Sequence, residues 1–167
     1  MELDLADIKK TKAAAETFLA TSQRLDILVN NAGLWDNTFS LTPRDKLESH
    51  IAWVLLTVFS SNTNNLFLYP ASVEVAHMLF TTTLLPAIRN AGPGARIVFV
   101  TSHAHVYVKR PINWERLCSP EGEKELPYSL SRYSASKIAG IYSTMHLQRA
   151  LANEGIYVNC CHPGVRD

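Results

Sequence analysis

The sequence predicts an α/β protein in which helices flank a doubly wound parallel sheet, and three apolar runs are the main evidence. These runs cover residues 26–30, 95–101 and 157–161. Runs this short and this apolar are typical of buried parallel strands. Helical periodicity occupies the segments between them, and alternating strands and helices indicate a parallel sheet covered by helices. At 167 residues the chain has the length of one domain.

The first helix is predicted to follow Asp4 and Asp7 and to extend to about Thr21. Aspartate is favoured at a helix start because its carboxylate accepts hydrogen bonds from the unpaired N–H groups there. One face of this helix carries apolar side chains at helical spacing, namely Ile8, Ala15, Phe18 and Leu19. The strand at 26–30 follows directly.

Two further helices are predicted before the second strand, around residues 44–52 and 73–90. The later one closes at the segment Gly92-Pro93-Gly94, which follows a helix and precedes a strand. A glycine-rich phosphate loop has the opposite order, so we interpret this segment as a turn.

The last helix carries Tyr133 and leads to the strand at 157–161. Its residues at helical spacing, which we expect to pack on the sheet, are Ala135, Ile138, Ile141 and Met145. Cys160 and Cys161 are predicted as core residues of the final strand, which ends at a Pro-Gly turn.

The composition narrows the function classes. Apolar residues make up 47% of the chain and charged residues 19%, which suits a globular α/β protein. A formal net charge of +1 gives no electrostatic case for nucleic acid or an anionic membrane. No secretory signal opens the chain, and its three cysteines argue against a disulfide framework, so we expect a cytoplasmic protein.

Tyr133 and Lys137 are the most informative residues, because residues four apart on a helix project from the same face. An ammonium near a phenol favours the phenolate form. A tyrosine in this setting can donate a proton to a carbonyl or take one from an alcohol. Alternatively, the two form an ordinary pair on a helix surface.

Two strand ends supply further polar groups. Residues 30–33 read Asn-Asn-Ala-Gly and form a turn at the carboxyl end of the first strand, where ligands bind in doubly wound sheets. Ser102 follows the second strand, where its hydroxyl can bond a substrate carbonyl. The purely structural alternatives are that the asparagines only form the turn and that Ser102 only caps its strand.

These motifs, in this order, resemble the short-chain dehydrogenase/reductase family of the single-domain Rossmann type. The segment between Ser102 and Tyr133, with His105 and residues 114–117, is similar to the retinol-dehydrogenase-like and fungal biosynthetic branches. The resemblance implies hydride transfer between NAD or NADP, with NADP favoured, and a small apolar carbonyl or secondary alcohol. It also implies a homo-oligomer and a role in fungal-type metabolite biosynthesis.

The resemblance assigns roles to individual residues. Tyr133 is the expected acid or base, Lys137 lowers its pKa and holds the ribose, and Ser102 orients the substrate oxygen. The expected cofactor-binding residues are Asp4, Asn30, Asn31, Ala32, Gly33, Tyr133, Lys137, Pro163, Gly164 and Val165.

The sequence also departs from the family pattern. The glycine-rich turn Gly-x-x-x-Gly-x-Gly that binds the cofactor pyrophosphate is missing, and residues 1–5 resemble the family's third strand, with Asp4 against the adenine. The chain stops just after Val165, before the family's substrate loop and last strand. We therefore expect a single partial domain over residues 1–167, truncated at both ends.

The middle of the chain differs as well. Four residues before His77 the family has an asparagine that holds a water at the lysine, and here the position is Val73. Residues 53–72 have no family counterpart, so we interpret them as an insertion that a gene-model error could produce. The polar centre of this insertion argues against a membrane span.

Two alternatives to an enzyme stay open from the residues alone. One is a catalytically inactive remnant, which titration with reduced cofactor separates from an enzyme, and the other is a nucleotide-sensing module without chemistry. His103 and His105 alternate as a metal pair would, but no carboxylate or cysteine cluster accompanies them, so we expect no metal site.

Overall fold

The computed structural model describes residues 2–34, 41, 43, 73–108, 112–113 and 128–164. These residues form three α-helices and three β-strands in alternation. In chain order they are α1 (Ile8–Thr21), β1 (Ile27–Asn30), α2 (Val73–Ala91), β2 (Arg96–Val100), α3 (Tyr128–Leu151) and β3 (Tyr157–Cys161). Short 3₁₀ turns cover His103–Tyr107 and Ala152–Glu154.

The three strands form one parallel sheet in the order β1-β2-β3, with β2 in the centre. Leu28 pairs with Ile97, and Ile97 pairs with Val158 on the other side. Each strand is joined to the next by a helix, as parallel strands require. The predicted α/β class with a parallel sheet and flanking helices is therefore confirmed. All three strands deliver their carboxyl ends to the same edge.

The helices pack on one face of this sheet. Alternate strand residues point to that face and are buried, and they join apolar residues of the helices in one core. The strand and helix members of this core include Leu28, Ile97, Phe99, Val158, Ala15, Leu84, Ile88, Leu147 and Leu151. The opposite face of the described sheet exposes Ile27, Val29 and Tyr157.

Helix α1 begins where the aspartates predicted it. The Asp7 carboxylate accepts hydrogen bonds from the N–H groups of Lys9 and Lys10, at 2.9 and 3.0 Å. The expected strand over residues 1–5 is wrong for the residues described, because residues 2–4 form no regular structure and 5–6 form a turn. The turn is held by the Asp4 carboxylate, which accepts a hydrogen bond from the N–H of Ala6 at 3.0 Å.

Two details of the predicted core are also wrong. Met145 is 46% exposed, because helix α3 buries seven successive residues at 134–140 but only one side of its second half, where Leu147 and Leu151 face the sheet. Cys161 is exposed, since neighbouring strand residues point to opposite faces and Cys160 takes the core side.

Some predictions fall on residues that the structure does not describe. The helix around 44–52 and the insertion at 53–72 both lie outside the described residues. None of the described helices is long and apolar enough to span a membrane.

Candidate active site

The candidate site lies at the carboxyl edge of the sheet, where β1, β2 and helix α3 meet. Asn30 ends β1, Ser102 follows β2 after one residue, and α3 carries Tyr133 and Lys137. In open α/β sheets this edge is where ligands bind. The fold therefore brings the predicted residues of three separated segments to one region.

Lys137 lies at the centre of this region and is 7% exposed. Its Nζ donates a hydrogen bond to the carbonyl oxygen of Val100 at 3.1 Å, which ties helix α3 to the end of β2. A Cβ atom built on Gly33 would come within 3.3 Å of the same Nζ. The missing side chain at Gly33 thus leaves room for the ammonium beside the Asn-Asn-Ala-Gly turn.

Tyr133 lies one helical turn before Lys137, and its ring is half-buried. The Lys137 Nζ is 5.3 Å from the centre of this ring, within the range of a cation–π contact. The predicted side-by-side arrangement on one helix face is therefore present.

Ser102 caps the 3₁₀ turn that follows β2. Its Oγ accepts a hydrogen bond from the N–H of Ala104 at 3.2 Å. Because this bond uses an oxygen lone pair, the hydroxyl proton stays available for donation to a carbonyl. The capping and substrate-binding interpretations of Ser102 are therefore compatible.

His105 is part of this turn, and its side chain contacts the backbone of Ser102. Its Nδ1 lies 2.8 Å from the carbonyl oxygen of Ser102. A carbonyl oxygen only accepts hydrogen bonds, so Nδ1 carries the proton in this contact. The bond fixes the orientation of the imidazole relative to Ser102.

Asn30 is anchored by a residue that the sequence analysis missed. Its Nδ2 donates a hydrogen bond to the Oγ1 of Thr81 at 2.9 Å, and both side chains are buried. The contact joins the end of β1 to helix α2 across 51 residues of sequence. Asn31 and Gly33 are exposed and Ala32 is half-buried, so Asn30 shapes the turn from inside while its neighbours face outward.

His77 is a second residue without a predicted site role. It is 6% exposed, and its ring meets Phe99 edge to face with 6.5 Å between centres. Burial, and then the charge of Lys137, lower the pKa of His77 from 6.5 to about 3, so the imidazole is neutral near pH 7. A histidine in an otherwise apolar helix segment was the available signal.

The end of β3 lies beside the turn that follows Ser102. Pro163 and Gly164 are exposed, and Gly164 has a φ of 92°, a left-handed conformation that glycine adopts readily. His162 lies 6.4 Å from His103, between ring centres, so this end of β3 and the turn after Ser102 are neighbours. Val165 lies outside the described residues.

Asp4 lies apart from these contacts, in the turn before α1. Besides bonding the N–H of Ala6, its carboxylate lies 3.6 Å from the ammonium of Lys10. Within the described ranges, no three His, Cys, Asp or Glu side chains are grouped as a metal site needs.

Comparisons with known proteins give the family of this arrangement. The short chain dehydrogenase family model matches residues 116–167, the segment that carries Tyr133 and Lys137. An uncharacterized oxidoreductase of Schizosaccharomyces pombe is 36% identical over 174 residues, covering 99% of this chain and 44% of that protein. Mouse retinol dehydrogenase 14 is 33% identical, covering 98% of this chain and 41% of that protein.

Solved structures agree. A short chain dehydrogenase from Burkholderia cenocepacia, in complex with NADP, superposes with a TM-score of 0.58 at 26% identity, covering all of this chain and 53% of that one. L-Sorbose reductase from Gluconobacter frateurii has a TM-score of 0.59 at 22% identity, covering 98% of this chain and 48% of that one, which supports the fold alone. This chain thus spans about half the length of the proteins it matches. Over the part of that length it spans, the chain belongs to the short-chain dehydrogenase/reductase family.

Proposed function

We propose that the protein is an NAD(P)-dependent oxidoreductase that transfers hydride to a carbonyl or from a secondary alcohol. One observation carries the proposal. The Lys137 ammonium is held by the Val100 carbonyl, beside Gly33 and over the ring of Tyr133. This arrangement places a fixed cation next to a phenol at the edge of the sheet where ligands bind.

The proton chemistry is assigned to three side chains. Tyr133 donates a proton to the carbonyl oxygen during reduction and takes one from the hydroxyl during oxidation. Lys137 stabilises the phenolate that remains after donation. Ser102 donates a hydrogen bond from its hydroxyl to the same substrate oxygen. Its Oγ accepts from the N–H of Ala104, which leaves the hydroxyl proton for this bond.

The nicotinamide cofactor supplies or accepts the hydride. Gly33 is exposed and carries no side chain, so a ligand can approach the backbone of this turn closely. We assign cofactor contacts to the turn Asn30–Gly33, to Tyr133 and Lys137, and to Pro163, Gly164 and Val165, with Asp4 near the adenine. NADP is favoured over NAD because similar structures were solved with NADP or NADPH, although one was solved with NAD.

We assign the substrate to the class of small apolar carbonyls and alcohols. The curated relatives include retinol dehydrogenases, which act on an apolar alcohol by name. In this chain the turn after Ser102 exposes Val106 and Tyr107, so apolar surface lies next to the proposed substrate hydroxyl. We further propose that the protein forms a homo-oligomer in the cytoplasm and takes part in fungal-type metabolite biosynthesis. We also propose that residues 1–167 form a single partial domain, in which residues 53–72 are an insertion.

The test compares two tyrosines on the same helix. Tyr133→Phe should lower kcat by about a hundredfold or more, the size of a lost general acid, while binding of NADPH, followed by its fluorescence, stays saturable. Tyr142 is exposed on α3 outside the site, so Tyr142→Phe is the matched control and should leave both unchanged. All-trans-retinal and a set of smaller apolar aldehydes and ketones serve as substrates.

Two results would count against the proposal. Equal turnover by the two variants would remove Tyr133 from the mechanism. Absence of saturable NADPH and NADH binding by the unchanged protein would favour a catalytically inactive remnant, whereas binding without turnover of any substrate would favour a nucleotide-sensing module.

A further inference from the structure

The turn that follows β2 holds both oxygen atoms of Ser102. The Oγ accepts a hydrogen bond from the N–H of Ala104 at 3.2 Å. The carbonyl oxygen accepts a hydrogen bond from the backbone N–H of His105 at 3.2 Å and lies 2.8 Å from the Nδ1 of the same residue. A carbonyl oxygen has two lone pairs, so His105 alone can satisfy this one with its backbone and its side chain.

The bond from the imidazole is the shorter of the two bonds to this carbonyl. At 2.8 Å it is near the short end of the range for N–H···O bonds, whereas the backbone bond at 3.2 Å is at the long end. The imidazole ring is half-buried and meets the ring of His103 edge to face, with 6.2 Å between centres. The side chain of His105 is therefore oriented by its neighbours toward the backbone of Ser102.

This turn also contacts the helix that carries the proposed acid. Ala104, in the middle of the turn, is buried, and helix α3 with Tyr133 packs against the turn. A shift of the turn would consequently move the hydroxyl of Ser102 relative to Tyr133. A contact that holds the turn can thus affect how the two hydroxyl groups meet one substrate oxygen.

We infer that His105 is a positioning residue for Ser102. Its Nδ1–H donates to the Ser102 carbonyl and holds the backbone of that residue, so that the hydroxyl keeps one direction. A donor that is already oriented stabilises developing negative charge better than one that must reorient. The inference rests on the proposed function, because its effect on turnover passes through the hydrogen bond that Ser102 donates to the substrate oxygen.

The tautomer of His105 tests the bond without any need for activity. In this bond the neutral imidazole carries its proton on Nδ1, whereas a free histidine carries it mainly on Nε2. Protein labelled with ¹⁵N-histidine reports the tautomer at a pH where the ring is neutral, and the His105 signals are assigned by their loss in His105→Asn. An Nε2–H tautomer overturns the inference, even if no variant folds.

The couplings between the Hα and Hβ protons of Ser102 then show whether the bond fixes the hydroxyl. The unchanged protein should show the couplings of a single side-chain rotamer. His105→Leu removes the donor and should give averaged couplings. His105→Asn places an amide N–H near the position of Nδ1 and should restore the single rotamer. Averaged couplings in both variants, or in neither, overturn the inference.

A double-mutant cycle separates positioning from packing in turnover. His105→Leu should lower kcat about tenfold with little change in KM, because a displaced donor loses part of what its removal would cost. In a Ser102→Ala background the same substitution should have almost no further effect, since the hydroxyl through which it acts is gone. His105→Asn should recover most of kcat.

The matched control is a second histidine that lies far from the turn. His146 lies several helical turns beyond Tyr133 on α3, so His146→Leu should leave kcat unchanged. Additive losses in the cycle, or an unchanged kcat in His105→Leu, would contradict the positioning role. If the unchanged protein turns over no substrate, the proposed function fails, and the tautomer and the couplings still decide whether His105 holds Ser102.

Discussion

Acid should destabilise the protein through His77, the most deeply buried titratable side chain of the candidate site. Burial and the nearby Lys137 charge lower its pKa from 6.5 to about 3 in the folded protein. Below pH 6.5 the unfolded chain therefore binds a proton at this position that the folded protein does not bind until about pH 3. His77 therefore has no effect on the pH dependence of the free energy of unfolding well above pH 6.5. As the pH falls from 6.5 toward 3, the free energy of unfolding decreases.

The size of the effect follows from the gap between the two pKa values. Each pH unit in this window is worth about 1.4 kcal/mol. Acidification from pH 7 to pH 4.5 should therefore lower the free energy of unfolding by about 2 to 3 kcal/mol through His77 alone. That loss is a large part of the stability of a typical domain.

Urea unfolding at a series of pH values, followed by far-UV circular dichroism, measures this contribution. Other carboxylates and histidines also titrate, so the quantity of interest is the difference in pH dependence between the unchanged protein and His77→Gln. His103 is exposed, and His103→Gln is the control that should keep the pH dependence of the unchanged protein. Parallel curves for the unchanged protein and His77→Gln would refute the reasoning, because they would mean that His77 titrates normally in the fold.

Three further predictions concern the contacts around the site. Gly33→Ala should lower kcat about tenfold with little change in Tm, because the new methyl group displaces the end of the flexible Lys137 side chain, and unchanged kcat would contradict this. Thr81→Val should lower the free energy of unfolding, measured with urea, by about 1 to 3 kcal/mol, because it leaves the buried amide of Asn30 without its acceptor. Thr81→Ser keeps the hydroxyl and should lower it less, and equal losses would contradict the role of the hydroxyl. Leu147→Ala should cost about 2 to 5 kcal/mol by the same assay, and a loss near zero would place this residue outside the core.

Local patterns predicted most of the elements because their causes are local. Asp7 caps α1 with its own side chain, and Gly92 and Gly94 end α2 in left-handed conformations that favour glycine. The apolar runs became the three strands within one residue of their predicted bounds. These features depend on residues a few positions apart, which the sequence displays directly.

Features that depend on packing were harder to predict. Periodicity alone placed Met145 with Ile138 on the buried face, although only one side of the second half of α3 meets the sheet. The strand expected over residues 1–5 is missing from the described residues because Asp4 bonds the N–H of Ala6 and turns the chain.

The candidate site also contains residues that a local pattern predicted and residues whose role depends on packing between distant segments. The spacing of Tyr133 and Lys137 predicted their proximity, since one helix carries both. Thr81 and His77 were missed as site residues because their contacts join elements far apart in sequence, as the bond between Thr81 and Asn30 shows. Nothing in the local sequence around α2 indicates which of its residues meets the end of β1.

Alcohol oxidation by Lys137→Met tests the central claim most directly, which is that the ammonium beside Tyr133 supports proton transfer. The substitution removes the positive charge that lies 5.3 Å from the centre of the Tyr133 ring. We expect kcat at pH 7 to fall about a hundredfold or more. A kcat equal to that of the unchanged protein would contradict the account.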